Sequence, residues 1–209
     1  MSPLPERAAR CGWTGKLPSS GDFLSRRVEP AFAVPWEQWL LAMLAGSRER
    51  LRERWQESFL SAPAWRFVLA PGVVSPGAWC GVMVPSVDSV GRYYPLTLVG
   101  ALPAAPFDPE QAMKAMGHWF AMAEMLATEA LSPTIDIGAF DDSIAALPLP
   151  NFPIDRAASF AARSKSSSAW SSETSEVATG MSFSAEGLPT IEQYCMMLTG
   201  KPVQVAAAS

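Results

Sequence analysis

The sequence is poor in charged residues, and positive charge is the scarcer sign. Asp, Glu, Lys and Arg together make up only 17% of 209 residues, and 16 basic against 20 acidic residues give a net charge of −4. Non-specific nucleic-acid binding needs a basic face that neutralises phosphates. The composition therefore excludes a general nucleic-acid binder, while the 49% of hydrophobic residues indicates a large core.

Two residue types that serve much catalytic and metal chemistry are also scarce. There is one histidine, His118, and the three cysteines, Cys11, Cys80 and Cys195, form no CxxC pair. A serine hydrolase needs a base beside its nucleophile, and a structural zinc site needs closely spaced ligands. The residues therefore indicate no serine-hydrolase triad and no zinc site, and we expect a protein that holds no metal and no cofactor and keeps its cysteines reduced in the core.

Long hydrophobic runs are missing as well. No apolar stretch approaches the ~20 residues that are needed to cross a bilayer. The first residues, MSPLPERAARCGW, contain no apolar segment typical of a secretory signal. These observations predict a cytoplasmic protein without a membrane span.

Alternating and β-rich segments predict a sheet. The turns PGVVSPG and VDSVG separate three consecutive β-rich runs and are short enough for antiparallel hairpins. Pro and Ser are frequent in 147–168, which predicts a surface loop. The predicted strands cover 10–17, 64–70, 77–86, 92–102, 167–172 and 177–185.

Helical periodicity occupies the remaining segments. Gly46 is expected to end the first helix and Ser47 to cap the second, and Asp141 and Asp142 are expected to begin or cap a helical turn. Helices are predicted from Val34 to Gly46, from Ser47 through Phe59, over 109–131, around 139–146 and from Thr190 to Gly200. Segregated strands and helices predict a single α+β domain over 1–209, with a central, largely antiparallel or mixed sheet flanked by helices.

Two polar stretches interrupt the strand pattern. The first, KLPSSGDFLSRR (16–27), is not a phosphate-binding P-loop, because its lysine precedes the glycine. The second, PSVDSVGRYYPL (85–96), has the Asp and Gly of a tight turn, followed by Arg92, which is expected to pair with Asp88 or Asp22. If segments 17–24 and 85–92 meet at one end of the sheet, they form a candidate site of Ser19, Ser20, Asp22, Asp88 and Arg92, with Arg66 as a further candidate.

Three interpretations of this cluster stay open at this point. It is a structural ion pair, a surface for a protein partner, or the site of a small-ligand or phosphate-ligand sensor or enzyme that uses Asp22, Asp88 and Arg92. A deep pocket lined by these side chains favours the sensor, whereas a tight internal ion pair favours a structural role.

Five blocks of the sequence resemble, in order, the TagF/ImpM family of accessory proteins of bacterial type VI secretion systems. They are GWTGKLPSSGDFLSRR (12–27), PWEQWL (35–40), APAWRFVLAPGV (62–73), GVMVPSVDSVGRYYPLTL (81–98) and GLP (187–189). The resemblance implies a central sheet flanked by helices. It also implies a cytoplasmic post-translational repressor of secretion that engages the forkhead-associated component Fha, and a regulator instead of an enzyme.

Overall fold

The computed structural model describes residues 10–103, 107–152, 167–173 and 180–201. Its strands are β1 (Gly12–Lys16), β2 (Phe23–Arg26), β3 (Trp65–Leu69), β4 (Ala78–Val84), β5 (Leu96–Leu102), β6 (Ser167–Ser171) and β7 (Ser182–Glu186). Within the described ranges they form one open sheet in the order β2-β1-β5-β4-β3-β6-β7, and every neighbouring pair is antiparallel. The predicted α+β class with a largely antiparallel sheet is confirmed.

Helices cover both faces of this sheet. They are α1 (Pro30–Leu51), α2 (Trp55–Leu60), α3 (Pro109–Ala115), α4 (Gly117–Glu129), α5 (Ile137–Ala146) and α6 (Ile191–Thr199). The first, second and sixth pack on one face, and the other three pack on the opposite face. In the part of the chain that the structure describes, no helix combines the length and apolar character that crossing a bilayer requires.

The two faces bury different kinds of side chain. Under α1 lies an aromatic core in which Trp36 contacts Phe67 at a ring-centroid distance of 4.7 Å and stacks on Trp170 at 6.1 Å. The other face is mainly aliphatic and also buries Cys11 and Cys80. All three cysteines are buried and unpaired, and burial raises the pKa of the Cys11 thiol to about 11.

Helix α1 is longer than predicted, and Gly46 does not end it. A Cβ at this position would lie 2.8 Å from the Cδ1 of Ile191, so the glycine allows α6 to approach α1 closely. Ser47 is no cap either: it is buried, and its Oγ accepts the Nε1–H of Trp55 at 2.8 Å. The regular helix breaks at Arg52, where φ is 48°, and one 3₁₀ turn then leads into α2.

Three other boundaries differ from prediction. The helix predicted over 109–131 is two helices that meet at Met116. The cap of α5 is Asp136, which accepts the Ala139 N–H at 2.7 Å, so the prediction for Asp141 and Asp142 is wrong. Strand β2 was not predicted, because only one residue of FLSR is even half-buried and no apolar alternation marks it.

Other predictions are confirmed. The three central strands form the expected antiparallel meander. Thr190 and Gln193 form the predicted capping box of α6, and Gly200 ends this helix at a φ of 66°.

Of the predicted loop 147–168, residues 153–166 lie outside the described residues, as do residues 177–179 of the last predicted strand. The described residues Leu147 and Phe152 are buried.

Candidate functional site

The two polar segments meet at one end of the sheet. Strands β1 and β4 both run antiparallel to β5, so the turns that follow them, 17–22 and 85–95, leave the sheet at the same end. The Ser86 hydroxyl donates to the carbonyl oxygen of Lys16 at 2.7 Å, and the Ser89 N–H donates to the carbonyl oxygen of Ser20 at 3.0 Å. The convergence expected from the sequence therefore exists.

Asp88 is the centre of this junction. Its Oδ1 accepts the backbone N–H groups of Val90 and Arg92 at 3.1 and 2.8 Å. Its Oδ2 accepts the Lys16 ammonium and the Arg92 Nε–H, the latter at 2.7 Å. The Asp88 side chain has no exposed surface. With four donors around it, this carboxylate is a saturated internal acceptor.

The pKa of Asp88 follows from these contacts. Burial on its own raises the pKa of a carboxyl, because the charged form loses its hydration. Hydrogen bonds from Lys16, Arg92 and Val90 favour the charged form more strongly, and they hold the pKa of Asp88 well below its ordinary value. The side chain is therefore an anion throughout the physiological range.

Arg92 ties the second turn to the first. Its Nη2 donates to the carbonyl oxygen of Gly21, while its Nε binds Asp88. The side chain nevertheless stays 60% exposed. The expected pairing of Arg92 with Asp88 is confirmed, but Arg92 lies in the turn before β5, whose first residue is Leu96.

The remaining predicted residues have different environments. Asp22 is exposed and forms no ion pair with any residue that the structure describes. Its N–H donates to the Ser20 Oγ at 3.1 Å, whereas the Ser19 Oγ is buried without a partner among the described residues. Arg66 lies on β3 and takes no part in the hydrogen bonds of the junction. It pairs with Glu124 at 2.7 and 2.6 Å and lines a cleft of about 420 Å³ beside β6 and β7.

Lys16 is the member of the junction that sequence reasoning missed. The P-loop comparison examined it as a phosphate ligand and rejected it. Its actual partner lies 72 residues further along the chain. Its position as the last residue of β1, at the end of the sheet where the two polar segments were expected to meet, is the signal that points to the pairing.

Exposed apolar side chains lie over the junction. Phe23 is 41% exposed, and its ring meets Tyr94 edge-on at a centroid distance of 5.2 Å. Val90 is 67% exposed, and a Cβ built on Gly21 would lie 4.0 Å from one of its methyl groups. We call the exposed set Asp22, Phe23, Val90 and Arg92 the turn-end surface.

A second ionic link joins the end of β2 to α5. Arg27 has a φ of 55°, an uncommon conformation for a residue other than glycine. Its guanidinium donates to both carboxylate oxygens of Asp141 at 2.8 and 2.7 Å, and its Nε donates to the carbonyl oxygen of Cys11 at 3.0 Å. Trp13 Nε1 donates to the same carboxylate at 2.7 Å. The link fastens α5 to the edge of the sheet.

One family model and a solved structure match this chain. Residues 12–147 match the family model described as the TagF N-terminal domain, type VI secretion system-associated. The crystal structure of PA0076 from Pseudomonas aeruginosa PAO1 is similar to this chain, with a TM-score of 0.81 and 30% sequence identity over 95% of this chain and 98% of that one. No curated protein matches the sequence.

Proposed function

The chain belongs to the TagF N-terminal domain family of type VI secretion system-associated proteins, and from this premise we propose that it is a cytoplasmic regulator that restrains secretion. It acts by binding the forkhead-associated component Fha, which removes that component from the pool that promotes assembly of the secretion system. A binding protein of this kind works by mass action and needs no catalytic group.

The observation that carries this proposal is the turn-end surface, which lies next to the ion pairs of Asp88 with Lys16 and Arg92. Phe23 and Val90 are exposed large apolar side chains, and the exposed Arg92 donates to the carbonyl oxygen of Gly21, two residues before Phe23. Aromatic and arginine side chains are enriched among the residues that dominate binding energy at interfaces. Such residues bind best when the backbone that presents them is already ordered. Here the hydrogen bonds of Asp88 order the second turn, and Arg92 and Ser89 donate to the first turn and hold the two together.

The same geometry assigns Asp88 a positioning role. A small ligand that approached its carboxylate would have to displace Lys16 or Arg92, since each oxygen already accepts two hydrogen bonds. The tight internal ion pair therefore favours the fastening of two turns over direct ligand binding at Asp88. Among the predicted residues, Asp22 and Arg92 are the exposed ones that a partner can contact.

The test is a titration of the labelled Fha component with purified protein and surface variants. We expect Phe23→Asp and Val90→Asp each to weaken binding by about tenfold or more, because each change places a charge at the centre of the interface. Met125→Asp is the matched control: Met125 is 55% exposed on α4 and belongs to a different surface.

Two results would contradict the proposal. One is that the folded wild type does not bind the Fha component at all. The other is that Phe23→Asp and Val90→Asp bind as tightly as the wild type. Far-ultraviolet circular dichroism of each variant shows that a loss of binding is not a loss of folding.

A further inference from the structure

The outer face of α1 is apolar along most of its length although it faces solvent. Val34 is 53% exposed and Leu41 is 54% exposed. From residue 30 to residue 45 the helix contains a single charged residue, Glu37. Single apolar residues on a surface need no explanation, but a continuous stripe along one helix marks an interaction face. The exposed members of this α1 stripe are Ala31, Val34, Gln38, Leu41, Ala42 and Ala45.

We propose that the α1 stripe is the contact face of a homodimer, in which α1 of a second copy packs antiparallel against it. The charges beside the stripe select this occupant. Glu37 and Arg48 are both exposed, and neither forms an ion pair within the described ranges. Eleven residues separate them, which is close to three turns of ~3.6 residues, so they lie on the same flank of the helix about 16 Å apart.

A two-fold axis between Leu41 and Ala42 makes the stripe complementary to itself. Residues 41 and 42 lie on opposite flanks of the stripe, so Leu41 meets Leu41 of the second copy across the axis and Ala42 meets Ala42, which gives two apolar contacts at the centre. Glu37 lies within about 3 Å, along the helix axis, of Arg48 of the second copy. Since the operation is two-fold, two such ion pairs form on the same flank. Parallel packing in register would instead place the charged flanks of the two copies on opposite sides of the contact, where no such ion pair forms.

Arg48 is already held in place for this contact. Its guanidinium carbon lies 4.2 Å from the ring centroid of Trp55, which is buried. Stacking on a ring face leaves the N–H groups at the edge of the guanidinium free to donate. The second copy therefore meets an arginine whose position is fixed in advance, which lowers the entropy that pairing costs.

The size of the stripe limits the strength of the dimer. A helix of 22 residues is about 33 Å long, and a face about 10 Å wide offers roughly 300 Å² per copy. Standard interfaces bury about 800 Å² per partner. The association is therefore weak and becomes visible only at high protein concentration.

Sedimentation velocity over about 1 µM to about 1 mM protein tests the proposal. We expect the wild type to shift from monomer towards dimer across this series. Leu41→Asp stays monomeric, because it places a carboxylate at the centre of the contact. Met125→Asp, a charge introduced on the exposed face of α4, dimerises like the wild type.

A charge exchange separates this geometry from other self-association. Glu37→Arg and Arg48→Glu should each weaken the dimer about tenfold, because each variant sets like charges opposite one another. An equimolar mixture of the two should dimerise like the wild type, because every cation then faces an anion.

Three outcomes overturn the proposal. The wild type stays monomeric throughout the series, or Leu41→Asp dimerises like the wild type, or the mixture associates no better than its components. If Leu41→Asp loses binding to the Fha component while the wild type is monomeric, the face belongs to that partner instead of a second copy.

Discussion

Two aspartates tie distant parts of this chain together, and they do so in different surroundings. The Asp88 side chain is fully buried and accepts four hydrogen bonds within the two turns at the end of the sheet. The Asp141 side chain is 24% exposed and joins α5 to Arg27 and Trp13 at the edge of the sheet.

The difference shows how burial changes what a carboxylate does. A buried anion depends on its partners completely, since water cannot replace them. Asp88 therefore fixes the backbone that presents Val90 and Arg92 of the turn-end surface. Asp141 keeps partial access to water, so the loss of its contacts with Arg27 and Trp13 should lower the free energy of unfolding by a smaller amount. Four predictions follow from this contrast, from the largest expected effect to the smallest.

Asp88→Ala should cause the largest loss of stability. The substitution leaves the Lys16 ammonium, which is almost buried, without its counterion, and it removes the acceptor of two backbone N–H groups. We expect the largest decrease in melting temperature of the set, measured by circular dichroism. Asp22→Ala is the matched control, because Asp22 is exposed. Equal melting temperatures for the two variants would contradict the claim that Asp88 stabilises the junction of the two turns.

Asp141→Ala should destabilise the fold moderately. It removes a bidentate contact with Arg27 and the acceptor of Trp13 Nε1–H. Charge-assisted hydrogen bonds that are partly exposed to water suggest a decrease of about 1–3 kcal/mol in the free energy of unfolding. Urea unfolding measures this value. A larger decrease in the free energy of unfolding than Asp88→Ala causes would contradict the claim that the buried aspartate contributes more stability than the partly exposed one.

Low pH should remove the stability that both carboxylates contribute. The pKa of Asp88 is lowered in the fold, and hydrogen bonding from Arg27 lowers the pKa of Asp141. The unfolded chain, in which the pKa of Asp is about 3.9, takes up protons first as the pH falls. The stability that these groups contribute is therefore fully present near pH 7, decreases once the pH falls below about 5, and is lost as the pH falls through the lowered pKa of each folded carboxyl.

Urea unfolding at pH 7 and at pH 3.5 tests this dependence. The difference in unfolding free energy between wild type and Asp88→Asn should shrink at the lower pH. It should also shrink for Asp141→Asn, because the pKa of both carboxyls is lowered in the fold. A difference that is independent of pH for both variants would show that neither aspartate is coupled to proton uptake.

Glu192→Gln should have the smallest effect. Glu192 pairs with Arg50 at 2.6 Å, but its side chain is 58% exposed. Exposed ion pairs contribute little, because water and salt screen them. We expect an unchanged melting temperature at 0.15 M salt. A decrease as large as that of Asp141→Ala would mean that burial does not rank the ion pairs of this protein.

Local signals made part of this structure predictable. The Asp–Gly turn before β5 predicted the pairing of Asp88 with Arg92, and Thr190 with Gln193 predicted the cap of α6. The meeting of the two turns was a condition of the candidate site, and the strand directions in the structure explain it. These features depend on neighbours in sequence or on the alternation of strands.

Long-range contacts were not predictable in the same way. Asp141 lies 114 residues from Arg27, and its place near the start of a predicted helix suggested a cap instead. Gly46 looked like a helix stop because its contact, Ile191, lies at the other end of the chain. In both cases a tertiary partner, absent from the local sequence, decided the role of the residue.

Hydrogen exchange with and without the Fha component tests the central claim most directly. If the turn-end surface binds this partner, backbone amides of residues 17–24 and 85–92 exchange more slowly in the complex, while those around Met125 on α4 are unchanged. Protection confined to α4, or no change at either turn in a complex that has formed, would contradict the claim.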